Sequence, residues 1–278
     1  RHSSFVVDMQ TCEVVPARIS ALLIPLRELI ASLSIRERLP QIELAIGDAV
    51  DVLVLRVIEP PDAADIERLK QFSARYRVQL LLQPKGPDSA YPLLAEEVIP
   101  LRYRIPDFDL TFPFDATDFT QVNHEINRVL VRRAITLLDA QPGERIADLF
   151  CGLGNFSLAI ARRGAQVIGI EGNSRLVQRA HANAALNGLE RQCHFLDRDL
   201  FKITAAGWKD LGPFDRMLID PPRDGAMELV KALGDMKPLR VVYVSCNPAT
   251  LARDAGVLVN VHGYRLAGLQ MEVPRRAA

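Results

Sequence analysis

Hydrophobic and polar positions follow two different rhythms along this chain. Over roughly the first 115 residues the pattern changes every few positions. Residues 41–58, Q-I-E-L-A-I-G-D-A-V-D-V-L-V-L-R-V-I, hold two apolar runs around Gly47-Asp48 and predict a β-hairpin. Residues 62–76 start with Asp62, which suits a helix cap, and place Ile66, Leu69 and Ser73 on one helical face. A short strand, V-Q-L-L-L (78–82), comes next. Pro84, Gly86, Pro87, Pro92, Pro100, Pro106 and Pro113 then predict irregular connections and an edge hairpin.

From about residue 117 the pattern becomes regular. It predicts a helix over 123–139, a strand at 146–150, a helix at 155–163, a strand at 166–171 and a helix at 174–187 that stops at Asn187-Gly188. Strands at 193–196, 216–220 and 241–246 follow, with helices near 226–234 and 248–259, and a last strand at 264–271. Apolar strands alternating with helices imply crossover connections and a parallel sheet covered on both faces. The expected fold is α/β: a doubly wound, Rossmann-like domain over 117–278, preceded by a smaller α+β domain over 1–116.

Charge changes this picture little. The 278 residues carry 34 basic and 34 acidic side chains, so overall charge does not drive nucleic-acid binding, though a local basic face stays open. Lysine fills only six of the basic positions, and arginine, the better bidentate partner for phosphate, fills the rest. No run approaches the ~18–20 apolar residues of a membrane span. No charged-then-apolar leader follows Arg1, and Cys12, Cys151, Cys193 and Cys246 lack CxxC spacing, so a reduced, cytoplasmic setting is expected.

The candidate chemistry gathers at the carboxyl ends of the predicted strands, where open α/β sheets bind ligands. D-L-F-C-G-L-G-N (148–155) joins the first strand of the regular half to its helix, and Gly152 and Gly154 let backbone approach a ligand at a helix amino terminus. Glu171 closes the next strand, where an acid would accept hydrogen bonds from a ribose. Asp199 follows the third strand, placed to meet an adenine edge. A dinucleotide-binding fold competes, but its third glycine is replaced by Ser157, and Asp148 suits a cationic cofactor such as S-adenosylmethionine better than a pyrophosphate. Cys151 in the turn reads as a packing residue. Asp220-Pro221-Pro222-Arg223 follows the fourth strand; Asp220 can hold a polar group, and Arg223 can steady a developing anion.

Cys246 ends the fifth strand ahead of a break at Asn247-Pro248. A thiol adds to carbon 6 of uracil and leaves again, which makes carbon 5 nucleophilic toward a methyl sulfonium. A buried structural cysteine is the bland alternative. The segment S-C-N-P-A-T-L-A-R-D (245–254) closely resembles the catalytic segment of the RNA (uracil-5-)-methyltransferase family, nearest to its 23S ribosomal RNA branch. D-F-T-Q-V-N (118–123), D-L-F-C-G-L-G-N-F (148–156), I-E-G (170–172) and D-P-P-R (220–223) stand in matching order and spacing. The resemblance implies methylation of a uridine in 23S ribosomal RNA, with transfer RNA as the alternative substrate, and S-adenosylmethionine as cofactor. It implies Cys246 as nucleophile, with Arg223 beside it in the catalytic site. Cofactor contacts are implied at Gln121, Phe150, Gly152, Asn155, Glu171, Asp199 and Asp220, and a base-stacking aromatic at Phe119. No protein partner is predicted.

Two features depart from the family. Its members carry an amino-terminal RNA-binding barrel and three clustered cysteines that, with a fourth, hold a 4Fe-4S cluster. V-V-D-M-Q-T-C (6–12) resembles the segment of that fourth ligand, which makes Cys12 the single remaining one. A cubane needs about four thiolates, so no cluster is expected on this chain. The family's base-bearing Phe-Pro-x-Thr-x-His-x-Glu segment also has no counterpart, and the neighbours of Glu272 do not match it. The fifth strand is expected to keep an unpaired edge, and the chain as written is expected to be weakly active, or an inert fragment that binds cofactor or RNA.

Overall fold

The structure, a computed structural model, describes residues 8–269. The chain divides into two compact units. The first holds residues up to Tyr103 together with Pro113–Ile126; the second holds Arg104–Phe112 and the described chain from Asn127 onward.

The first unit opens with helices α1 (Ala17–Ser20) and α2 (Leu23–Ser32), then strands β1 (Gln41–Ile46) and β2 (Asp51–Arg56). These strands pair antiparallel, Gln41 opposite Arg56 and Ile46 opposite Asp51. Gly47 makes their turn: its N–H donates to the Val50 carbonyl at 2.9 Å, and a Cβ there would lie 2.7 Å from that oxygen. Helix α3 (Ala63–Tyr76) is capped by Asp62, whose carboxylate accepts from Asp65 N–H, and it ends at Arg77 in the left-handed region. Strand β3 (Val78–Gln83) lies parallel to β2, and β4 (Tyr91–Pro92) closes the sheet. The buried face of α3 is Asp65, Leu69 and Phe72, one step round from the Ile66, Leu69 and Ser73 face that apolar spacing suggests. The difference arises because Asp65 is buried by hydrogen bonding, which hydropathy does not register. Leu29, Leu33, Leu53, Leu55, Leu80 and Leu82 fill the core beside it, each stabilising by about 1.5–3 kcal/mol.

Strands β5 (Arg102–Ile105) and β6 (Leu110–Pro113) form the hairpin expected within the proline-rich stretch, as a two-stranded sheet of its own and not at the edge of a larger one. Helix α4 (His124–Leu138) then leads into the regular half. Its order is β7 (Arg145–Leu149), α5 (Ser157–Ala161), β8 (Gln166–Glu171), α6 (Ser174–Leu186), β9 (Cys193–Asp197), α7 (Ala205–Asp210), β10 (Arg216–Ile219), α8 (Met227–Ala232), β11 (Arg240–Tyr243) and α9 (Pro248–Asn260). The sheet runs β11-β10-β7-β8-β9 and every pairing is parallel. Strand order reverses between β7 and β10, so the crevice of a doubly wound sheet lies beyond their carboxyl ends. Ile146, Leu149, Met217, Leu218 and Ile219 are all fully buried, as strands covered on both faces require.

Two expectations shift here. Strand β11 stops at Tyr243, so Cys246 lies three residues past the strand in a bend. Residues 264–269 form no strand; 270 and 271, and Glu272, lie outside the described residues. A strand needs a ladder. Tyr264 instead donates its N–H to the Leu258 carbonyl of α9 and its hydroxyl to the Pro238 carbonyl, so these groups are spent outside a ladder. Among the described residues β11 pairs only with β10 and forms one edge of the sheet.

Candidate active site

The site is built from the turns that follow β7, β8, β9 and β10. After β7 the chain bends sharply: Phe150, Gly152 and Gly154 all take positive φ, at 63°, 55° and 93°. For Phe150 that is a strained conformation, of the kind that clusters at ligand sites. A Cβ on Gly154 would meet Leu158 Cδ1 at 2.7 Å, whereas one on Gly152 would meet nothing within 4 Å. Gly154 is therefore set by packing, and Gly152 faces open space.

Side chains from elsewhere pin this turn. Glu171, at the end of β8, accepts from Gly152 N–H at 3.1 Å and from Asn173 N–H at 3.0 Å. Asn183 of α6 donates to the Leu153 carbonyl at 3.0 Å. Asn155 and Asn127 exchange two amide hydrogen bonds of 3.0 Å each, joining α4 to the turn. Cys151 is buried, and burial pushes its thiol well above its usual range; its sulfur packs where a Cβ on Gly169 would come within 3.0 Å. Helix α5 is only five residues long, so the dipole anticipated at its amino terminus is small.

Asp148, the last but one residue of β7, is fully buried. Ser157 donates to its Oδ2 at 2.5 Å, while Oδ1 has no hydrogen-bond partner among the described residues. Ser157 thus has a function of its own at the position where a dinucleotide fingerprint carries glycine. Burial lifts the Asp148 carboxyl to about 7; the Ser157 bond opposes that shift and the Asp220 charge adds to it. Asp220 stands one strand away, its N–H donating to Leu149, and burial raises its carboxyl to about 6. Glu171 adds a third carboxylate to this mouth.

Asp199 is exposed and caps the turn after β9: it accepts from Phe201 N–H at 3.0 Å and pairs with Lys202 at 2.9 Å. That bond to Lys202 is the main reason its carboxyl is held below the usual range. The Phe150 ring lies 5.4 Å from the tilted ring of Phe201, which belongs to the turn that Asp199 caps. Phe201 was not evident in sequence; its signal is its place two residues after Asp199.

Cys246 is exposed. Its neighbour Asn247 caps α9 by accepting from Ala249 N–H, and donates Nδ2 to the Arg223 carbonyl at 3.0 Å. Thr250 Oγ1 donates to the same carbonyl at 3.2 Å. The thiol segment and the Asp220–Arg223 loop are therefore joined directly, and the Arg223 side chain is exposed. Phe119, 77% exposed, and Gln121, also exposed, belong to the first unit. Cys12 is part-buried there, its N–H donating to Ser20 Oγ. Among the described residues no group of three or more His, Cys, Asp or Glu side chains is placed to hold a metal ion.

A family model described as tRNA (Uracil-5-)-methyltransferase matches residues 5–271. The chain belongs to this family. Among curated uracil-5-methyltransferases, the 23S rRNA (uracil(1939)-C(5))-methyltransferase RlmD of Nitrosospira multiformis is 58% identical over 96% of this chain and 61% of its own length. The RlmD of Cupriavidus necator is 54% identical over 96% and 62%. The chain thus spans about three-fifths of the length of these relatives. Among solved structures, the Pyrococcus abyssi tRNA (uracil-54, C5)-methyltransferase in complex with S-adenosyl-L-homocysteine aligns with a TM-score of 0.64 at 25% identity, covering 90% of this chain and 63% of that one. TYW2 of P. horikoshii, with a TM-score of 0.51 at 19% identity over 86% and 88% of the two chains, shares the fold.

Proposed function

We propose that this chain methylates carbon 5 of a uridine in 23S ribosomal RNA, with S-adenosylmethionine as cofactor and Cys246 as nucleophile. The observation that carries the reading is the exposed Cys246, joined through Asn247 to the Arg223 loop beside a mouth of three carboxylates. The ribosomal substrate is favoured by the relatives: the RlmD proteins are 54–58% identical, the transfer-RNA enzyme 25%.

The residues fit that cofactor. It carries a sulfonium and an ammonium, and Asp148, with one buried oxygen unpartnered, stands beside Asp220 and Glu171. Open space at Gly152 leaves room for close approach. Glu171 would hold the ribose, Asp199 and the Phe150 ring the adenine, and Asn155, Gln121 and Asp220 further polar groups. The cofactor supplies an electrophilic methyl group.

Cys246 would add to carbon 6 of the uracil, which moves electron density to carbon 5 and its neighbouring oxygen. Arg223 would steady that anion. After methyl transfer, a base or a solvent water takes the proton on carbon 5, the electron pair of that C–H bond restores the ring double bond, and the thiolate leaves carbon 6. Phe119 would stack on the extruded base. In this reading residues 1–116 contact RNA and 117–278 carry the transfer, in a cytoplasmic setting. No described helix is long and apolar enough to cross a membrane.

A covalent trap tests the proposal. Mixed with S-adenosylmethionine and a 23S ribosomal RNA hairpin bearing 5-fluorouridine, the chain is expected to form a denaturant-stable adduct. Cys246→Ala removes it, and a transfer-RNA hairpin gives less. An adduct that survives Cys246→Ala overturns the assignment of the nucleophile.

A further inference from the structure

One carboxylate near the site has no place in the reaction just described. Asp254 lies in the middle of α9 and is fully buried. Two of its three hydrogen-bond donors come from outside its own helix. Its Oδ2 accepts the Ala226 N–H at 2.6 Å and the Tyr243 hydroxyl at 2.6 Å, and its Oδ1 accepts Arg253 Nε at 2.8 Å. Burial works against the charge, but the bonds from Arg253, Tyr243 and Ala226 outweigh it and hold the carboxyl below its usual value. The Tyr243 hydroxyl is pushed up, by burial first and then by that hydrogen bond.

Each partner of Asp254 bears on the site. Tyr243 is the last residue of β11, three positions before Cys246. Ala226 ends the loop that begins at Asp220. Around this hub the loop is fastened along its length: the Arg223 carbonyl takes Asn247 and Thr250, and the Asp224 carbonyl takes Arg253 Nη2 at 2.8 Å. The approach is close enough to dictate residue type. Gly225 has φ +77°, and a Cβ there would lie 2.6 Å from Asp254 Oδ2 and 2.7 Å from Arg253 Nη2. An apolar residue would fill this part of the helix face at lower desolvation cost than a buried charge. What the carboxylate adds is direction: three donors from three segments converge on two oxygens.

We propose that Asp254 is a positioning residue that clamps the Asp220–Ala226 loop against the segment carrying Cys246. This rests on the reaction proposed above, in which Asp220 and Arg223 on one side and Cys246 on the other must meet a single base and cofactor. Misplacement by about 1 Å costs on the order of 100-fold in rate, so a clamp between the two segments has a direct kinetic value.

Hydrogen exchange and adduct formation, measured together on the 278-residue chain, test this. In Asp254→Asn, amide exchange over residues 221–227 is expected to rise about tenfold or more while β7 and β8 keep their protection. Adduct formation with the 5-fluorouridine hairpin is expected to slow about 10- to 100-fold at a temperature where the variant is fully folded. Alkylation of Cys246 by iodoacetamide should stay within about twofold, because the thiol itself is untouched. If Asp254→Asn does not fold, Tyr243→Phe removes one bond only and should raise exchange over 221–227 about threefold. Unchanged exchange at 221–227, or a folded Asp254→Asn that forms adduct at the unaltered rate, overturns the clamp. No adduct from the unaltered chain sinks the reaction instead, and the exchange comparison alone then decides the clamp.

Discussion

Asp65 in the first unit and Asp148 in the second are both fully buried aspartates, and their carboxyls shift in opposite directions. Burial disfavours the charge on each. At Asp65 the opposing bonds win: Ser34 donates its N–H at 3.0 Å and its hydroxyl at 2.6 Å, and Arg68 adds a charge at 2.9 Å, so the carboxyl is held below its usual value. At Asp148 the Ser157 hydroxyl reaches only one of the two oxygens, and two acidic neighbours add to the penalty. A buried acid whose bonds are all made is structural glue between α3 and the chain after α2. One left half-satisfied stores free energy that a cationic ligand would release. Asp254 is the third case, satisfied by groups that matter to the site.

The comparison can be broken most directly at Asp65. Asp65→Ala removes several charge-assisted bonds at once and is expected to cost about 3 kcal/mol or more, read as a lower urea midpoint with unchanged slope. Loss of less than 1 kcal/mol, roughly the value of one neutral hydrogen bond, would mean those contacts carry little.

Asp148→Asn should do the reverse, and its pH dependence carries the sign. A carboxyl raised to about 7 in the folded chain penalises folding once the unfolded carboxyl ionises near pH 4, and the penalty grows until about pH 7. The variant is therefore expected to melt a few degrees higher at pH 8, with the gain fading as pH falls to 4. Asp65→Asn should be destabilised at pH 7, and that loss fades as pH drops through the depressed Asp65 value. Melting curves at pH 4 and 8 that shift the same way in both variants would erase the distinction. In the Asp148→Asn variant, affinity for S-adenosylhomocysteine, whose ammonium the Asp148 charge would face, should fall about tenfold at pH 8, by calorimetry.

Gly152→Ala sharpens the contrast between packing and site. Its positive φ costs about 1–2 kcal/mol, but its Cβ points into open space, so the loss in cofactor affinity should exceed what strain alone predicts. The smallest effect is expected at Asp199, which is exposed and paired with Lys202. Asp199→Asn keeps the capping bond to Phe201 and should leave the melting temperature unmoved while weakening adenosine-containing ligands a few-fold; unchanged affinity would leave Asp199 with its capping bond alone.

Much of the second unit was legible in the chain. Apolar runs of four to six residues between helical segments mark β7, β8, β9 and β10, and glycines at 152 and 154 mark the turn that needs positive φ. Glu171 and Asp220 were legible from their places at strand ends. Asn127 was not: it bonds Asn155 across 28 residues, and nothing in its own neighbourhood signals that. The strand expected through Cys246 stops at Tyr243, because ladder pairing with β10 ends there rather than where apolar residues run out.

The sequence by itself determined the period of each element, the sites of sharp turns and which reactive side chains follow which strands, because these depend on residues close in the chain. Only the tertiary structure decided which buried acids are satisfied. That balance depends on donors brought from 9 residues away at Ser157, 28 at Ala226 and 31 at Ser34, and a carboxylate's charge is set by those donors rather than by its sequence neighbours.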